Sequence, residues 1–309
     1  MVHNNHTVVT EFLLLGFSVV KQARLALFLI IGIVYVVTIS ANVFIIIILS
    51  TEQRLHKPMY FFIGSLSFLE IWYTSVTVPR LLWALLTEND SISPAGCVTQ
   101  FFLHFSFGAT ENFLLAIMAY DRYVAVCKPL RYLLIMNPDL CKRLLVASWV
   151  LGLAILAIPS IQMFNLSFCD HKEIDSYYCD FAPIIKLSCS NTMSIEKQFF
   201  VIVFVVVLGC FIIIIVSYIC IIWTTVKLPS AGRRKTFSTC ASHLVVVLLF
   251  YGTTMFMFMR PRAGDFLYMN KIISVIPSMV TPLLNPVIYT LRNQEVKEAM
   301  RKAAKKLTK

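Results

Sequence analysis

The stretch Met118–Tyr132, MAYDRYVAVCKPLRY, marks the point where a long apolar segment ends. The apolar run Cys97–Ala119 is broken abruptly by Asp121 and Arg122, which stand side by side between two tyrosines. Aromatic rings are enriched where hydrocarbon meets water, and an Asp–Arg pair need not be fully desolvated there. In a soluble protein the same letters would be an ordinary helix-end salt bridge. Here the stretch predicts the end of a membrane-spanning helix.

The composition indicates that the bilayer is the solvent of this chain. Of its 309 residues, 58% are hydrophobic and only 14% are charged, which is more apolar surface than a soluble domain of this size needs. Seven segments approach or exceed the roughly 20 residues that a helix needs to cross the hydrocarbon core, whereas a β-barrel would show alternating segments of about ten residues. The sequence therefore predicts an all-α membrane protein, a seven-transmembrane helix bundle. The predicted spans are Leu25–Leu49, Pro58–Val78, Cys97–Tyr120, Leu144–Leu166, Gln198–Val226, Thr236–Met259 and Ile272–Leu291.

The distribution of Lys and Arg orients this bundle. With the N-terminus outside, the inner segments contain 18 of the 27 Lys and Arg residues, and they are Thr51–Lys57, Arg122–Arg143, Lys227–Lys235 and Arg292–Lys309. The excess of positive charge inside predicts an extracellular N-terminus and a cytoplasmic C-terminus in the plasma membrane. The net charge of +11 is thus a topology signal, and no nucleic-acid partner is expected.

The two ends are predicted to lie on opposite sides of the seven-helix domain at 25–291. The extracellular tail at 1–24 has no basic region of the kind that opens a cleaved signal peptide, and Asn5 begins a glycosylation sequon. The cytoplasmic part at 292–309 is predicted to form a short basic amphipathic eighth helix on membrane lipids of the inner leaflet. Its apolar face is Val296, Met300, Ala303 and Leu307.

Further strings along the chain carry a resemblance to a known family. They are Lys57–Tyr60 (KPMY), Leu66–Glu70 (LSFLE), Arg233–His243 (RRKTFSTCASH) and Pro282–Tyr289 (PLLNPVIY). With Met118–Tyr132, they make nearly the whole chain similar to the tetrapod-type (class II) olfactory receptors, which are rhodopsin-like G-protein-coupled receptors. The chain departs from the usual family pattern at Ala41, Glu70 and Thr236, where the family usually has Gly, Asp and Ala.

The resemblance implies a receptor and not an enzyme. A small volatile odorant would be its ligand, and a heterotrimeric G protein of the olfactory stimulatory type would raise cyclic AMP. Ligand binding would shift the population to a state in which the inner helix ends separate and Arg122 is released from Asp121. Pro286 predicts a helix kink, and Asn285 is expected to satisfy part of the backbone that the proline exposes. The implied residues of coupling and activation are Asp121, Arg122, Tyr123, Tyr218, His243, Asn285, Pro286 and Tyr289.

Two carboxylates, Glu70 and Glu111, are predicted near the middle of their spans. An ionised side chain there costs several kcal/mol unless it is paired, protonated or hydrated. One interpretation is two independent polar residues that face water-filled gaps. The resemblance implies instead a shared site with Asn285, in which the carboxylates share a proton or hold a sodium ion. No other cofactor is expected.

Four of the nine cysteines, Cys97, Cys169, Cys179 and Cys189, fall on the predicted outer side. The secretory pathway oxidises such an even set, and the residues alone allow three pairings. Nine-residue gaps on both sides of Cys179 do not match zinc spacing, so no metal site is expected. The resemblance implies the pairs Cys97–Cys179 and Cys169–Cys189, which would make the long outer loop a lid.

A stripe at helical spacing on the third span, formed by His104, Gly108, Glu111 and Leu115, indicates where a ligand would bind. An apolar pocket with few polar side chains suits a small hydrophobic molecule with one hydrogen-bonding group, and no aspartate stands at His104 to bind an amine. The positions that match the odorant pocket of the family are His104, Phe105, Gly108, Ala109, Phe199, Ile202, Val203, Val206, Tyr251, Thr254, Met255, Phe258, Val275 and Ser278.

Other classes of protein fit the sequence less well. A transporter or channel with Glu70 and Glu111 on its path would need internal repeats with broken helices, and the sequence has none. An intramembrane enzyme would need a catalytic constellation, and no HExxH, P-loop or GxGxxG string occurs. A rhodopsin-like receptor for a lipid or another small molecule is the nearer alternative, which the TFSTCASH string and the cysteine-rich loop disfavour.

Overall fold

The computed structural model describes residues 10–17, 21–168, 172–227, 229–258, 265–292 and 294–307. Within these ranges most residues are helical, and short turns and three short strands join the helices: β1 (Phe12–Leu14), β2 (Ser91–Ile92) and β3 (Glu173–Ile174). The helices are α1 (Lys21–Thr51), α2 (Pro58–Thr87), α3 (Pro94–Cys127), α4 (Tyr132–Ile135), α5 (Pro138–Phe164), α6 (Phe181–Lys186), α7 (Met193–Val226), α8 (Ser230–Phe258), α9 (Asp265–Ile273), α10 (Thr281–Arg292) and α11 (Gln294–Leu307).

The predicted spans fall on these helices, and the seven-helix architecture is confirmed. In the part of the chain that the structure describes, six helical segments are long and apolar enough to cross a membrane: α1, α2, α3, α5, α7 and the segment Met269–Ile288. The sixth predicted span corresponds to α8, whose apolar part His243–Met257 is shorter than the others. Large apolar side chains of α7, such as Phe200 and Val201, are exposed, as expected of a surface that faces lipid.

The seventh span is not a regular helix. After α9, the chain forms a π-helical turn at Ile276–Val280, and α10 follows it. The irregular turn therefore contains Pro277, whereas Pro286, at which the sequence predicts a kink, lies inside α10. A π-helical turn shifts the register of the side chains relative to a regular helix, which matters for the residues that face the bundle interior.

The backbone group exposed by Pro286 is satisfied by a different residue from the one expected. Proline has no N–H, so the carbonyl of Pro282, one turn earlier, loses its helical donor. The Asn42 amide of α1 donates to this carbonyl at 3.1 Å. Asn285 donates instead to Glu70, so the expectation that Asn285 satisfies the backbone was wrong.

The helix α3 lies at the centre of the bundle and packs against α2, α5 and α7. Its side chains Leu114, Leu115 and Ala119 are fully buried. Gly152 of α5 lies directly against α3, because a Cβ atom placed there would be 2.9 Å from the carbonyl oxygen of Ser106. Small residues permit this close approach of two membrane helices.

One end of the bundle, which we call the disulfide end, is covered by a lid. The lid consists of a small sheet in the order β2-β1-β3, in which β1 pairs antiparallel with β2 and parallel with β3, together with residues 175–189. The disulfide Cys97–Cys179 joins it to α3 with a Cα–Cα distance of 5.4 Å. Lys271 donates to the Gly16 carbonyl at 2.8 Å and pairs with Asp175. The sequence predicts a lid from the outer loop, but not the strand β1 at its centre.

The opposite end, which we call the Arg122 end, carries α11, a helix in the segment predicted to form the amphipathic eighth helix. Val296 and Ala299 of α11 are buried against the bundle. Glu295 accepts two hydrogen bonds from Lys57 at 2.8 Å and one from the Tyr60 hydroxyl at 2.9 Å. These bonds join α11 to the start of α2, a connection that the sequence does not reveal.

Candidate functional site

A mostly apolar cavity of about 80 Å³ lies beneath the lid. It is enclosed by α3, α5, α7, α8 and the irregular seventh span, with Tyr73 of α2 and Tyr178 of the lid at its border. Its lining is Tyr73, His104, Phe105, Gly108, Ala109, Asn112, Leu156, Tyr178, Phe199, Ile202, Val203, Val206, Val207, Phe250, Thr254, Met257, Ser274 and Pro277.

His104 is held between two tyrosine rings. Its ring centroid is 4.8 Å from that of Tyr73 and 4.6 Å from that of Tyr178. Its Nε2 atom forms a hydrogen bond of 3.4 Å with the Tyr73 hydroxyl. The other ring nitrogen, Nδ1, is buried and has no hydrogen-bond partner among the described residues. The His104 ring therefore has one bonded nitrogen and one buried nitrogen without a partner among the described residues.

Asn112, eight residues further along α3, is a second polar group of the lining. Its side chain is buried, and its Nδ2 atom donates to the Gly108 carbonyl at 2.8 Å. Its Oδ1 atom has no donor among the described residues. Asn112 is absent from the predicted stripe on α3, which passes through the neighbouring Glu111.

The lid closes the cavity with buried tyrosines. Tyr177 donates to the Ser278 hydroxyl at 2.8 Å, because Ser278 itself donates to the Ser274 carbonyl. Burial raises the pKa of Tyr177 to about 12, so its hydroxyl remains a donor at neutral pH. The Cys179 N–H donates to Gln100 of α3 at 2.9 Å. The lid is thus fixed to both α3 and the seventh span.

The cavity contains nine of the fourteen predicted ligand positions, which are His104, Phe105, Gly108, Ala109, Phe199, Ile202, Val203, Val206 and Thr254. The predicted Tyr251, Met255, Val275 and Ser278 lie outside its lining. Tyr251 packs against Phe211, with 5.2 Å between the ring centroids, and Ser278 is bonded to the lid. The side chain of Phe258 lies outside the described residues.

On α8 and on the seventh span, the residues that line the cavity lie one position before the predicted residues that do not. The predicted face of each helix is therefore rotated relative to the observed one. On α8 the lining consists of Phe250, Thr254 and Met257, whereas the prediction used Tyr251, Thr254, Met255 and Phe258, so Thr254 is the one position in common. On the seventh span, Ser274 and Pro277 take the places predicted for Val275 and Ser278. Helices that are apolar on all sides give no periodic signal to fix their rotation, and the π-helical turn adds its own offset.

The carboxyl groups of Glu70 and Glu111 lie fully buried between the cavity and the Arg122 end. Asn285 donates to Glu70, and Glu111 is close enough for its charge to act on Glu70. Four buried oxygens have no donor among the described residues: Asn42 Oδ1, Glu70 Oε2, Glu111 Oε1 and Asn285 Oδ1. Such oxygens suit either protons or a hard cation such as sodium.

Near the Arg122 end, the expected Asp121–Arg122 pair has a different arrangement. Asp121 is fully buried rather than at a wet interface, and it accepts a hydrogen bond from the Tyr132 hydroxyl at 2.8 Å. Burial, and then the charge of Asp121, raise the pKa of Tyr132. No ion pair between Asp121 and Arg122 occurs in the described part of the chain. Tyr123 stacks near Tyr120, with 6.0 Å between ring centroids.

A chain of hydrogen bonds next to Arg122 joins three helices. His243 Nε2 lies 3.2 Å from the Leu115 carbonyl, which can only accept, so Nε2 carries the proton. In the neutral ring, Nδ1 is then the acceptor of the bond from the Tyr218 hydroxyl at 2.9 Å. Arg122 is near enough for its charge to act on both Tyr218 and His243. The side chain of Tyr289 lies outside the described residues.

A larger groove of about 740 Å³ lies on the outer surface between α1, α2 and α5, near the Arg122 end. It is lined by residues such as Phe61, Leu133 and Trp149 and by none of the predicted ligand positions. Because lipid tails would fill a groove on this surface, we take the smaller cavity beneath the lid as the candidate ligand site.

The predicted disulfide Cys97–Cys179 is present, and Cys189 is also disulfide-bonded. Its predicted partner Cys169, like the predicted glycosylation site Asn5, lies outside the described residues.

Comparisons with known proteins agree with this architecture. The family described as "Olfactory receptor" matches residues 31–306. Olfactory receptor 6F1 of Homo sapiens is 48% identical, over 96% of this chain and 97% of its own length. Olfactory receptor 287 of Rattus norvegicus is 47% identical, over 95% of both chains. The chain belongs to the olfactory receptor family, and it is accordingly a multi-pass membrane receptor coupled to G proteins and not an enzyme.

Proposed function

We propose that this receptor binds a small, mostly apolar volatile in the cavity beneath the lid and activates the olfactory stimulatory G protein, which raises cyclic AMP. The observation that carries the proposal is the mostly apolar cavity, which α3 lines with residues from His104 to Asn112, 10 to 18 positions before Arg122. One helix thus connects the cavity with the coupling residues.

The size and lining of the cavity support a small ligand. The cavity has a volume of about 80 Å³, roughly half of the 150 Å³ that holds benzene, so an odorant of that size or larger binds only if lining side chains move. Most lining side chains are aliphatic or aromatic, and His104, Asn112 and Thr254 are among the few that offer polar atoms. This composition selects a hydrophobic molecule with a single polar group.

Activation is proposed to break the Tyr218–His243–Leu115 hydrogen bonds, which hold α7, α8 and α3 together beside Arg122. A ligand shifts this equilibrium only if it binds the open state more tightly than the closed state. Once the helices separate, Arg122 would be released to contact the G protein. The remaining positions proposed for the switch are Asp121, Tyr123, Asn285, Pro286 and Tyr289.

The proposed orientation places the lid and the N-terminus outside the cell, because most Lys and Arg residues then face the cytosol. In this orientation Asn5 would be glycosylated. A glycosidase that reduces the apparent mass of the wild-type receptor, but not of Asn5→Gln, would support both statements.

The buried carboxylates are proposed to stabilise the resting state by holding either a sodium ion or a shared proton between Glu70, Glu111 and Asn285. Either one would neutralise the excess negative charge and satisfy the donor-free oxygens. Replacing sodium by a large organic cation distinguishes the two. A change in agonist potency would favour the ion, and an unchanged potency would favour the proton.

The test of the proposed function is a cyclic AMP measurement in cells that express the receptor with the olfactory stimulatory G protein. Wild type, Arg122→Ala and the exposed control Arg131→Ala are exposed to a broad panel of volatiles, with surface labelling of each. We expect responses from wild type and Arg131→Ala, and none from Arg122→Ala at equal surface density. Equal responses from all three would contradict the role of Arg122.

A further inference from the structure

We infer that the groove between α1, α2 and α5 is a binding site for an anionic phospholipid, with an acyl chain along the groove and the phosphate beside Lys57 and Lys142. The groove shares no lining residue with the cavity beneath the lid, so the inference does not depend on the odorant. Its basis is a groove of about 740 Å³ that is mostly apolar and has both of its ammonium groups at one end.

The length of the groove matches one leaflet of the bilayer. Its lining runs from Pro58 to Phe68 on α2 and from Pro138 to Trp149 on α5, about 15 and about 17 Å at 1.5 Å per residue. The rings of Phe68 and Trp149 contact each other at the far end, with 6.0 Å between their centroids. Because the whole hydrocarbon core is about 30 Å thick, an acyl chain in the groove would reach the bilayer centre.

The middle of the groove has room for an acyl chain. Gly64 of α2 lines it without a side chain, and even a Cβ atom placed there would meet only Leu49, at 3.6 Å. The hydroxyls of Ser50 and Ser65 also line this part, and each donates to a carbonyl of its own helix, at 2.9 and 2.8 Å. These hydroxyls are satisfied within the protein, so they do not need a polar group from the occupant.

The end of the groove near the helix starts is positively charged. The described lining contains Lys57 and Lys142 but no Asp or Glu. Lys142 is exposed, and no carboxylate lies within ion-pair distance of it in the described part of the chain. Lys57 donates to both carboxylate oxygens of Glu295, and its ammonium has a third N–H. Both α2 and α5 begin here, so the positive ends of their dipoles add to this charge.

This separation of charge and apolar surface selects the occupant. A sterol brings an uncharged hydroxyl, and a zwitterionic phospholipid brings its own cation next to its phosphate, so neither neutralises the two ammonium groups. An anionic phospholipid complements both parts of the groove. Basic pockets between membrane helices on the cytoplasmic side bind such headgroups, and the proposed orientation places this end in the anionic cytoplasmic leaflet.

The expected selectivity follows from the charge of Lys142. A lysine near the membrane surface strengthens the attraction of anionic lipid about fivefold. Lys142→Gln should therefore weaken binding of phosphatidylserine about fivefold. Arg143→Gln is the matched control, because it removes one positive charge from the adjacent exposed position, which lies outside the lining of the groove.

The experiment adds dioleoyl phosphatidylserine or dioleoyl phosphatidylcholine to the purified receptor in detergent. The melting temperature is followed against the lipid fraction, and native mass spectrometry counts the lipid molecules that stay bound. Gly64→Leu fills the groove, and Gly209→Leu is its control, since it adds the same side chain at an exposed glycine with no neighbour within 4 Å. The melting temperature without lipid identifies a variant that folds poorly, and the comparison of the two lipids on the wild type needs no variant.

We expect phosphatidylserine to stabilise the wild type at a lower lipid fraction than phosphatidylcholine, with one molecule retained. Lys142→Gln should need about fivefold more of it, Arg143→Gln should behave like the wild type, and only Gly64→Leu should lose the retained molecule. Equal effects of both lipids on the wild type would overturn the inference. So would equal weakening by Lys142→Gln and Arg143→Gln, or retention of the lipid by Gly64→Leu. No volatile is used, so these outcomes leave the proposed function untouched.

Discussion

Replacing Gly152 by alanine tests the central contact of the bundle, where α5 lies against α3. A Cβ atom at this position would be 2.1 Å from Thr110 Oγ1, 2.9 Å from the Ser106 carbonyl oxygen and 3.1 Å from the Thr110 nitrogen. The Thr110 hydroxyl is itself bonded to the Ser106 carbonyl at 2.9 Å, so its rotation would break that bond. The Ser106 oxygen belongs to the backbone and cannot rotate away, so the two helices must separate.

The size of the effect can be estimated from these contacts. Overpacking of a tight interior costs about 1–3 kcal/mol, and the loss of the Thr110 bond adds about 1 kcal/mol. The better helix propensity of alanine offsets up to about 1 kcal/mol of this cost. Gly152→Ala should therefore destabilise the receptor by about 1–3 kcal/mol. Gly209→Ala and Gly252→Ala should be neutral or slightly stabilising, because a Cβ atom at either position has no neighbour within 4 Å.

The measurement is the apparent melting temperature of the purified receptor in detergent, followed by fluorescence-detected size-exclusion chromatography after heating. Gly152→Ala should melt several degrees below the wild type, and the two control variants should melt at or above it. Adding Thr110→Ala to Gly152→Ala should restore part of the loss, since the shortest of the three close contacts, that with Thr110 Oγ1, disappears. Equal melting temperatures for Gly152→Ala and Gly209→Ala would refute the close approach of α3 and α5.

Three further changes have defined outcomes in the same melting assay. Asn42→Leu should cost about 0.6–1.7 kcal/mol, because the Pro282 carbonyl loses its donor; an unchanged melting temperature would argue against that bond. Cys97→Ser, which opens the lid disulfide, should cost about 2–5 kcal/mol, and a receptor that melts like the wild type would show that the lid is held by other contacts. Glu295→Gln should cost less than about 1 kcal/mol, because both ends of its ion pair with Lys57 are half exposed; a larger loss would assign α11 a structural role.

Much of the fold was predictable because the bilayer imposes a strong constraint. Each span must be long and apolar, and the run of more than 20 apolar residues around Leu25–Leu49 shows this directly. The strand β1 was missed because three residues, Phe12–Leu14, are too few for a periodic pattern. Its partners come from two loops that are distant in the sequence. Such pairing depends on tertiary structure that no local pattern encodes.

The sequence indicates which helices line the candidate site, but on α8 and the seventh span most of the predicted positions lie one residue from the residues that line the cavity. On α3, Gly108 and Ala109 were selected for their small side chains, and both line the cavity. The predicted stripe on α3 contains Glu111, because a carboxylate in a membrane helix indicates function more strongly than an amide does. The cavity lining contains the neighbouring Asn112 and not Glu111. The Asp121 bond to Tyr132 was missed because it joins α3 to the loop helix α4, and no spacing rule relates these residues.

The most direct test of the account is to separate ligand binding from coupling in one receptor. Gly108→Leu fills the cavity beneath the lid, and Arg122→Ala alters α3 near its last turn. With a volatile that activates the wild type, both ligand-dependent thermal stabilisation and cyclic AMP are measured for each variant. We expect Gly108→Leu to lose both responses and Arg122→Ala to lose only cyclic AMP. A Gly108→Leu receptor that still responds in both assays would contradict it.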